Sequence, residues 1–301
     1  MNTDLPAAAP PPPPAEPLGR RIWRHPLTAL VTGLATFAAT AVLASFAVRY
    51  LPEGPVAAIV GTLLTIGLLF AAYKLVIRRL GRHRHDDLPL RGALRDSMAG
   101  VALAAVLMSA IVGVAALAGV YRIVGPGTTS DAVELVFQAG LFAAFVEEVL
   151  FRGILFRWVE EWAGSIVAMA VSALAFGAAH LANDNASWLA ALAIALEAGL
   201  MLGAAYMLTR SLWLAIGIHF GWNVVQGLVW DVPVSGFPLR GLVDARLEGP
   251  ALLTGGAFGL EASVIAMVLA GATGAWLLTR AVRAGQLIPL GGLRRVSPAS
   301  G

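Results

Sequence analysis

The chain contains no cysteine, which removes disulfides and thiolate chemistry together and excludes a cysteine protease outright. Charge is scarce as well: Asp, Glu, Lys and Arg make up 13% of 301 residues against 58% hydrophobic ones, and the mean hydropathy is +0.78. Too little polar surface remains to clothe a soluble globule of this length, so lipid must be the solvent. Strand-like alternation between tight turns is missing, which argues against a membrane β-barrel. No short apolar stretch with a small-residue cleavage site precedes the first long run, so no cleavable signal peptide is expected and that run should act as an uncleaved anchor. No internal repeat is evident, and a transporter built on inverted repeats lacks its usual sequence support.

What is present is a series of long apolar runs. A bilayer core about 30 Å thick needs roughly 20 apolar residues per helix, and about eight runs qualify: Leu27 to Val48, Val56 to Ile77, Met98 to Val120, Ala132 to Val159, Ser165 to Leu181, Trp188 to Thr209, Leu212 to Val229 and Ala257 to Thr279. The expected fold is all-α, a polytopic membrane protein of about eight transmembrane helices. Of the 21 Lys and Arg residues, only Arg49, Arg122, Arg240 and Arg246 fall on one side of that arrangement. The positive-inside rule then puts both termini in the cytoplasm. The net charge of +3 and the pI near 9.8 reflect this topology, and no nucleic-acid partner is expected.

Along the chain, residues 1–26 read as a disordered, proline-rich, basic cytoplasmic tail, with an unbroken proline run from Pro10 to Pro14. Residues 27–130 form N-terminal membrane helices, 131–263 a denser polar core, and 264–301 the rest of the last helix with a second cytoplasmic tail. The loop from Arg78 to Ser97 carries His83, His85, Asp86 and Asp87; a metal site is conceivable there, but a solvated basic loop facing lipid headgroups is the expectation. Asp131 and Glu134 have the spacing of a capping box ahead of the fourth run. Gly164 should turn the chain back into the fifth.

An ionised side chain near the bilayer centre costs about 2.5 to 3.5 kcal/mol on insertion scales, so each needs a partner or a purpose. They cluster from Asp131 onward. In the fourth run, Glu148 and Arg152 are four apart and share a helical face, where they can pair. Glu147 is rotated about 100° from Glu148 and is left without that partner, as a general base near neutral pH would be. Only His180 and His219 among the five histidines lie in apolar runs. Phe176, four residues earlier, can pack beneath the His180 ring. Glu147 and His180 stand 17 and 16 residues from Gly164, so an antiparallel hairpin puts them at one depth, where they can meet. In the seventh run His219 and Asn223 share a face, with Gly221 allowing a neighbouring helix close. Each of these residues has a structural reading as an interhelical hydrogen bond. Together, a carboxylate, two histidines and an asparagine in three spans point to a hydrolytic site. Glu197 and Glu261 are further acids, read as helix-packing or structural groups.

In this order the motifs resemble the CPBP family of intramembrane proteases, also called the Abi or type II CAAX prenyl protease family. Its EExxxR, FxxxH and HxxxN motifs are matched by Glu147, Glu148 and Arg152; by Phe176 and His180; and by His219 and Asn223. Similarity continues through Gly203, Tyr206, Ser211-Leu212-Trp213, Thr254-Gly255-Gly256 and Phe258-Gly259-Leu260-Glu261, which resembles a bacterial subgroup, and covers about Asp131 to Ser263. The resemblance implies endopeptidase action on a membrane-associated peptide or protein, in a cell membrane and by that likeness a bacterial inner membrane. It implies that Glu147, assisted by His180, activates water, that His219 and Asn223 stabilise the oxyanion, and that Glu148 and Arg152 shape the site. The family is often called a metalloprotease, and Glu147, His180 and His219 are candidate ligands for a divalent metal such as zinc. No HExxH or other local zinc signature is present, and a metal-free glutamate mechanism uses the same atoms, so the cofactor stays open. A proton-coupled transporter and a non-catalytic membrane scaffold or immunity protein are the alternatives from other classes. The loop from Asp231 to Pro250, with Ser235-Gly236, is placed to lid the cavity on the outer side.

Overall fold

The computed structural model describes residues 17–82 and 85–290. Among the described residues, seven helices are long and apolar enough to cross a membrane: α1 (Pro26–Val48), α2 (Pro55–Arg79), α3 (Ala93–Leu117), α5 (Ser165–Ala182), α6 (Trp188–Thr209), α7 (Leu212–Val229) and α8 (Val264–Arg283). Between α3 and α5 runs α4, residues 134–163, helical throughout but with two wide π segments, Glu134–Phe142 and Val149–Phe156. Its Glu147, Glu148, Arg152, Arg157, Glu160 and Glu161 dilute the hydropathy, which is why α4 does not stand with the other seven as a plain span. The chain is an all-α, multi-pass membrane protein.

Local sequence sets the helix ends. Pro26 and Pro55 occupy the first turns of α1 and α2, where a missing N–H costs nothing. Ser187, Ser211 and Ser263 cap α6, α7 and α8 by accepting from the backbone N–H groups of Ala190, Trp213 and Ala266. Gly164, at φ 97°, makes the turn from α4 to α5 as expected. The capping box at Asp131 does not form: its carboxylate accepts instead from the backbone N–H of Arg240 at 2.8 Å. That partner sits in a distant loop, beyond what a local pattern reveals.

The chain also contains one antiparallel ribbon, β1 (Tyr121–Pro126) with β2 (Val243–Leu247), bulged between Ile123 and Gly125. It ties the connection after α3 to the long connection before α8, at the end opposite most of the basic residues. In the expected N-terminal tail, residues 1–16 lie outside the described residues, and Leu18–Trp23 form a short helix. Leu18, Ile22 and Trp23 are exposed beside Arg21 and Arg24, the composition of a segment that rests at a headgroup boundary.

The loop between α2 and α3 departs from its expected solvated state. His83 lies outside the described residues, but Asp87 is fully buried. Its carboxylate accepts from the hydroxyls of Tyr73 and Tyr206, the latter at 2.8 Å, and from the Arg157 guanidinium at 2.9 Å. These partners come from α2, α6 and α4, so one carboxylate fastens three helices at the basic end. Asp86, in the same loop, pairs with Lys74 at 2.6 Å. Burial alone raises its pKa, but the Lys74 hydrogen bond and charge outweigh burial and hold the carboxyl below its ordinary value.

Helix α3 lies against α7 at backbone distance, which positions the HxxxN face. A Cβ on Gly221 would come within 2.9 Å of the Val101 Cα, one on Gly100 within 2.6 Å of the Ile218 nitrogen, and one on Gly217 would collide with the Ser97 carbonyl. Replacing Gly217 by Val should therefore cost about 1 to 3 kcal/mol through overpacking. The check is the thermal unfolding of the purified protein in detergent, where an unchanged midpoint would contradict this packing.

Candidate active site

The π segments on either side of the short α-helical stretch Ala143–Glu148 place the two adjacent glutamates differently. Such wide turns are frequent at functional sites because they re-aim side chains. Glu148 and Arg152 are both fully buried and pair at 2.8 Å, as the four-residue spacing anticipates. Arg152 also donates to the carbonyls of Ala198 and Gly199 at 3.2 and 3.1 Å, and its guanidinium lies 4.4 Å from the Phe176 ring centroid. It thereby joins α4, α5 and α6 through one cation.

Glu148 has a second partner on α7. Its Oε1 lies 3.0 Å from His219 Nδ1, so with Nδ1 protonated the ring donates to Glu148 and its orientation is fixed. That turns Nε2 toward Glu147, whose Oε2 is 3.9 Å away. Glu147 differs from its neighbour in that its side chain is 30% exposed and carries no bond to a guanidinium; Oε2 of each glutamate is buried without a hydrogen-bond partner. His219 is thus flanked by two carboxylates, one committed and one free.

His180 sits at the end of α5, where the helix tightens into a 3-10 turn. Its Nδ1 lies 2.8 Å from the Phe176 carbonyl, which fixes Nδ1 as the donor and leaves Nε2 an unprotonated acceptor in the neutral ring. The Phe176 ring packs 4.8 Å from the His180 ring and 5.8 Å from that of His219, so one aromatic side chain positions both imidazoles and the Arg152 cation. Glu147 and His180 interact electrostatically but form no ion pair. Glu147 also stands beside His219 of α7, with Oε2 3.9 Å from Nε2.

Asn223 donates from Nδ2 to the Ala139 carbonyl of α4 at 2.7 Å. A carboxamide has two N–H donors, so one remains. His180, His219 and Asn223 line a common cavity with Phe176, Trp222, Glu197, Ser235 and Glu261. Ser235 sits where the loop from Asp231 to Pro250 was expected to cover the site. Its backbone N–H donates to Glu261, and its carbonyl accepts from Asn183 Nδ2 at 3.1 Å.

The donor set does not match a bound zinc. Among the described residues no group of three His, Cys, Asp or Glu side chains stands close enough to share a metal ion. Glu147, His180 and His219, the sequence candidates, do not form such a group.

Residues 129–225 match the family described as type II CAAX prenyl endopeptidase Rce1-like. Over these 97 of 301 residues the chain is similar to the Rce1-like family. The matched segment spans α4 to most of α7 and holds all seven motif residues, Glu147, Glu148, Arg152, Phe176, His180, His219 and Asn223. The matched family is one of peptide hydrolases, and the apolar helices around the matched segment fit a multi-pass membrane protein. No curated protein and no solved structure matches the chain.

The sequence pattern underrated two residues. Glu197 was expected to make a helix-packing hydrogen bond, yet its Oε2 is buried without a partner. Glu261 is bound by Trp222 and Ser235 and faces the same cavity. Their position among apolar residues was the available signal; that both line one cavity with the histidines is a long-range fact.

Proposed function

We propose that the chain cleaves a peptide bond of a membrane-associated peptide or protein with a water molecule activated by Glu147, in a step that uses no metal ion. The observation that carries this reading is the asymmetry of the two glutamates. Glu148 is fully buried and held by Arg152 and His219, whereas the Glu147 side chain is partly exposed, makes no hydrogen bond through Oε2 and stands 3.9 Å from the His219 imidazole. A free carboxylate can take a proton from water; a carboxylate locked to a guanidinium serves as a strut.

Glu147 accepts the proton as the water oxygen attacks the carbonyl carbon. His180, with Nε2 free, accepts a hydrogen bond from the same water and orients it. His219, carrying a proton on each ring nitrogen, donates to Glu148 from Nδ1 and to the developing oxyanion from Nε2, and the second N–H of Asn223 donates beside it. Glu148 and Arg152 keep His219 in place and touch no substrate. The donor geometry that fails to gather three metal ligands supports the metal-free step.

The test is cleavage of a quenched membrane-peptide library by purified protein in detergent, with and without millimolar chelator. Cleavage that changes less than about twofold on chelation is expected. Loss of cleavage on chelation, restored by adding back zinc, would overturn the metal-free step.

A further inference from the structure

Behind the two histidines, the cavity is closed by acids that the hydrolytic scheme leaves unused. Glu197, from α6, is 1% exposed and Glu261, just before α8, is 3% exposed. They are close enough to interact electrostatically. Glu261 is oriented by the backbone N–H of Ser235 and, at 3.3 Å, by Trp222 Nε1. Glu197 makes no hydrogen bond, and its Oε2 is buried. The cavity between these acids, His180, His219 and Asn223 measures about 20 Å³, room for about one water.

The ionisable groups around this space are Glu197 on α6, Glu261 ahead of α8, His180 on α5 and His219 on α7. The nearest fixed cation, Arg152 on α4, contacts the Ala198 and Gly199 carbonyls beside Glu197 but directs its charge to Glu148. With no Lys or Arg among the residues lining the cavity, ionising both of the carboxylates that border it is costly, and the pair favours keeping one proton. Glu261 lies outside the spans, and burial pushes it up to about 7 against the hydrogen bonds from Ser235 and Trp222. A proton is therefore held here at neutral pH, next to a water-sized space that opens on the histidines.

We propose that Glu197 and Glu261 form an acid pair that shares one proton and delivers it, through a water in the cavity, to the nitrogen of the departing amine. This rests on the protease reading. The protons balance over one turnover. One passes from the attacking water to Glu147 as the C–O bond forms. The shared proton passes to the amide nitrogen as the C–N bond breaks and its electrons go to nitrogen, which releases a carboxylic acid and a neutral amine. The proton on Glu147 then returns through water to the pair.

A proton donor matters when the leaving group is a basic amine and hardly at all when it is an activated alkoxide. The test compares hydrolysis of a cleaved peptide with that of the matching p-nitrophenyl ester, for wild type, Glu197→Gln and Glu261→Gln in detergent. Each variant is expected to lose about 100-fold more on the peptide than on the ester, within the range ascribed to general acid catalysis. Ester turnover also reports that the variants are folded. Equal losses on both substrates, or no loss on either, would overturn the pair as proton donor. Wild type that hydrolyses neither substrate would overturn the protease reading itself, and the pair's role with it.

Discussion

Glu147→Gln should lower peptide cleavage by between about 10²- and 10⁴-fold, the range that a positioned general base supplies, while leaving thermal unfolding in detergent unshifted. The substitution keeps the shape of the side chain and removes only its capacity to accept a proton. Glu147 Oε2 has no hydrogen-bond partner to lose, and its neighbour His219 remains anchored through Glu148. Stability and activity therefore separate at this residue. The ester substrate should suffer alongside the peptide, because water must be activated for both, and this distinguishes Glu147 from Glu197 and Glu261. Activity within a few-fold of wild type would remove Glu147 from the chemistry.

Arg152→Met should behave in the opposite way and destabilise the protein by about 3 to 5 kcal/mol, the usual cost of stripping one partner from a buried ion pair. Arg152 is fully buried, and its loss leaves Glu148 charged with only His219 beside it, frees the carbonyls of Ala198 and Gly199, and empties the face of the Phe176 ring. Lys is not a conservative replacement, since a single ammonium cannot reach the carboxylate and two carbonyls in the same plane. Adding Glu148→Leu to Arg152→Met should recover part of the lost stability, because an apolar pair of similar bulk is tolerated where a lone buried charge is not. The double variant stays inactive if Glu148 is what orients His219. The readout is the denaturation midpoint in detergent for the two single variants and the double; no recovery in the double variant would contradict the account.

The parts of this site that a single sequence displays are those governed by helical spacing. Glu148 with Arg152, Phe176 with His180 and His219 with Asn223 are each four residues apart, and a helix puts such pairs on one face whatever else the fold does. Gly221 announced a close helix contact, and α3 fills it, with Gly217 taking part as well. The multi-pass topology was readable for the same reason, since bilayer thickness imposes run length on the chain. What stayed hidden depends on residues far apart. Asp87 lies in a charged loop yet collects Tyr73, Arg157 and Tyr206 from three helices. Equal spacing from Gly164 brings Glu147 and His180 within electrostatic reach, but it says nothing of α7, which sets His219 3.9 Å from the same glutamate. Glu197 resembled an ordinary polar stitch between helices; its lack of a partner emerges only when α5, α6 and α7 are assembled. The ribbon of β1 and β2 pairs segments 120 residues apart, and neither strand is long enough to stand out alone.

The measurement that bears most directly on the central claim is the mass of the cleavage products when purified protein acts on a membrane peptide in H₂¹⁸O, without a proton gradient. The account predicts a single new peptide end whose carboxyl group carries one ¹⁸O atom from solvent, formed by wild type and not by Glu147→Gln. Folded wild-type protein that yields no labelled product from any peptide of a broad library, or Glu147→Gln that yields as much as wild type, would contradict it.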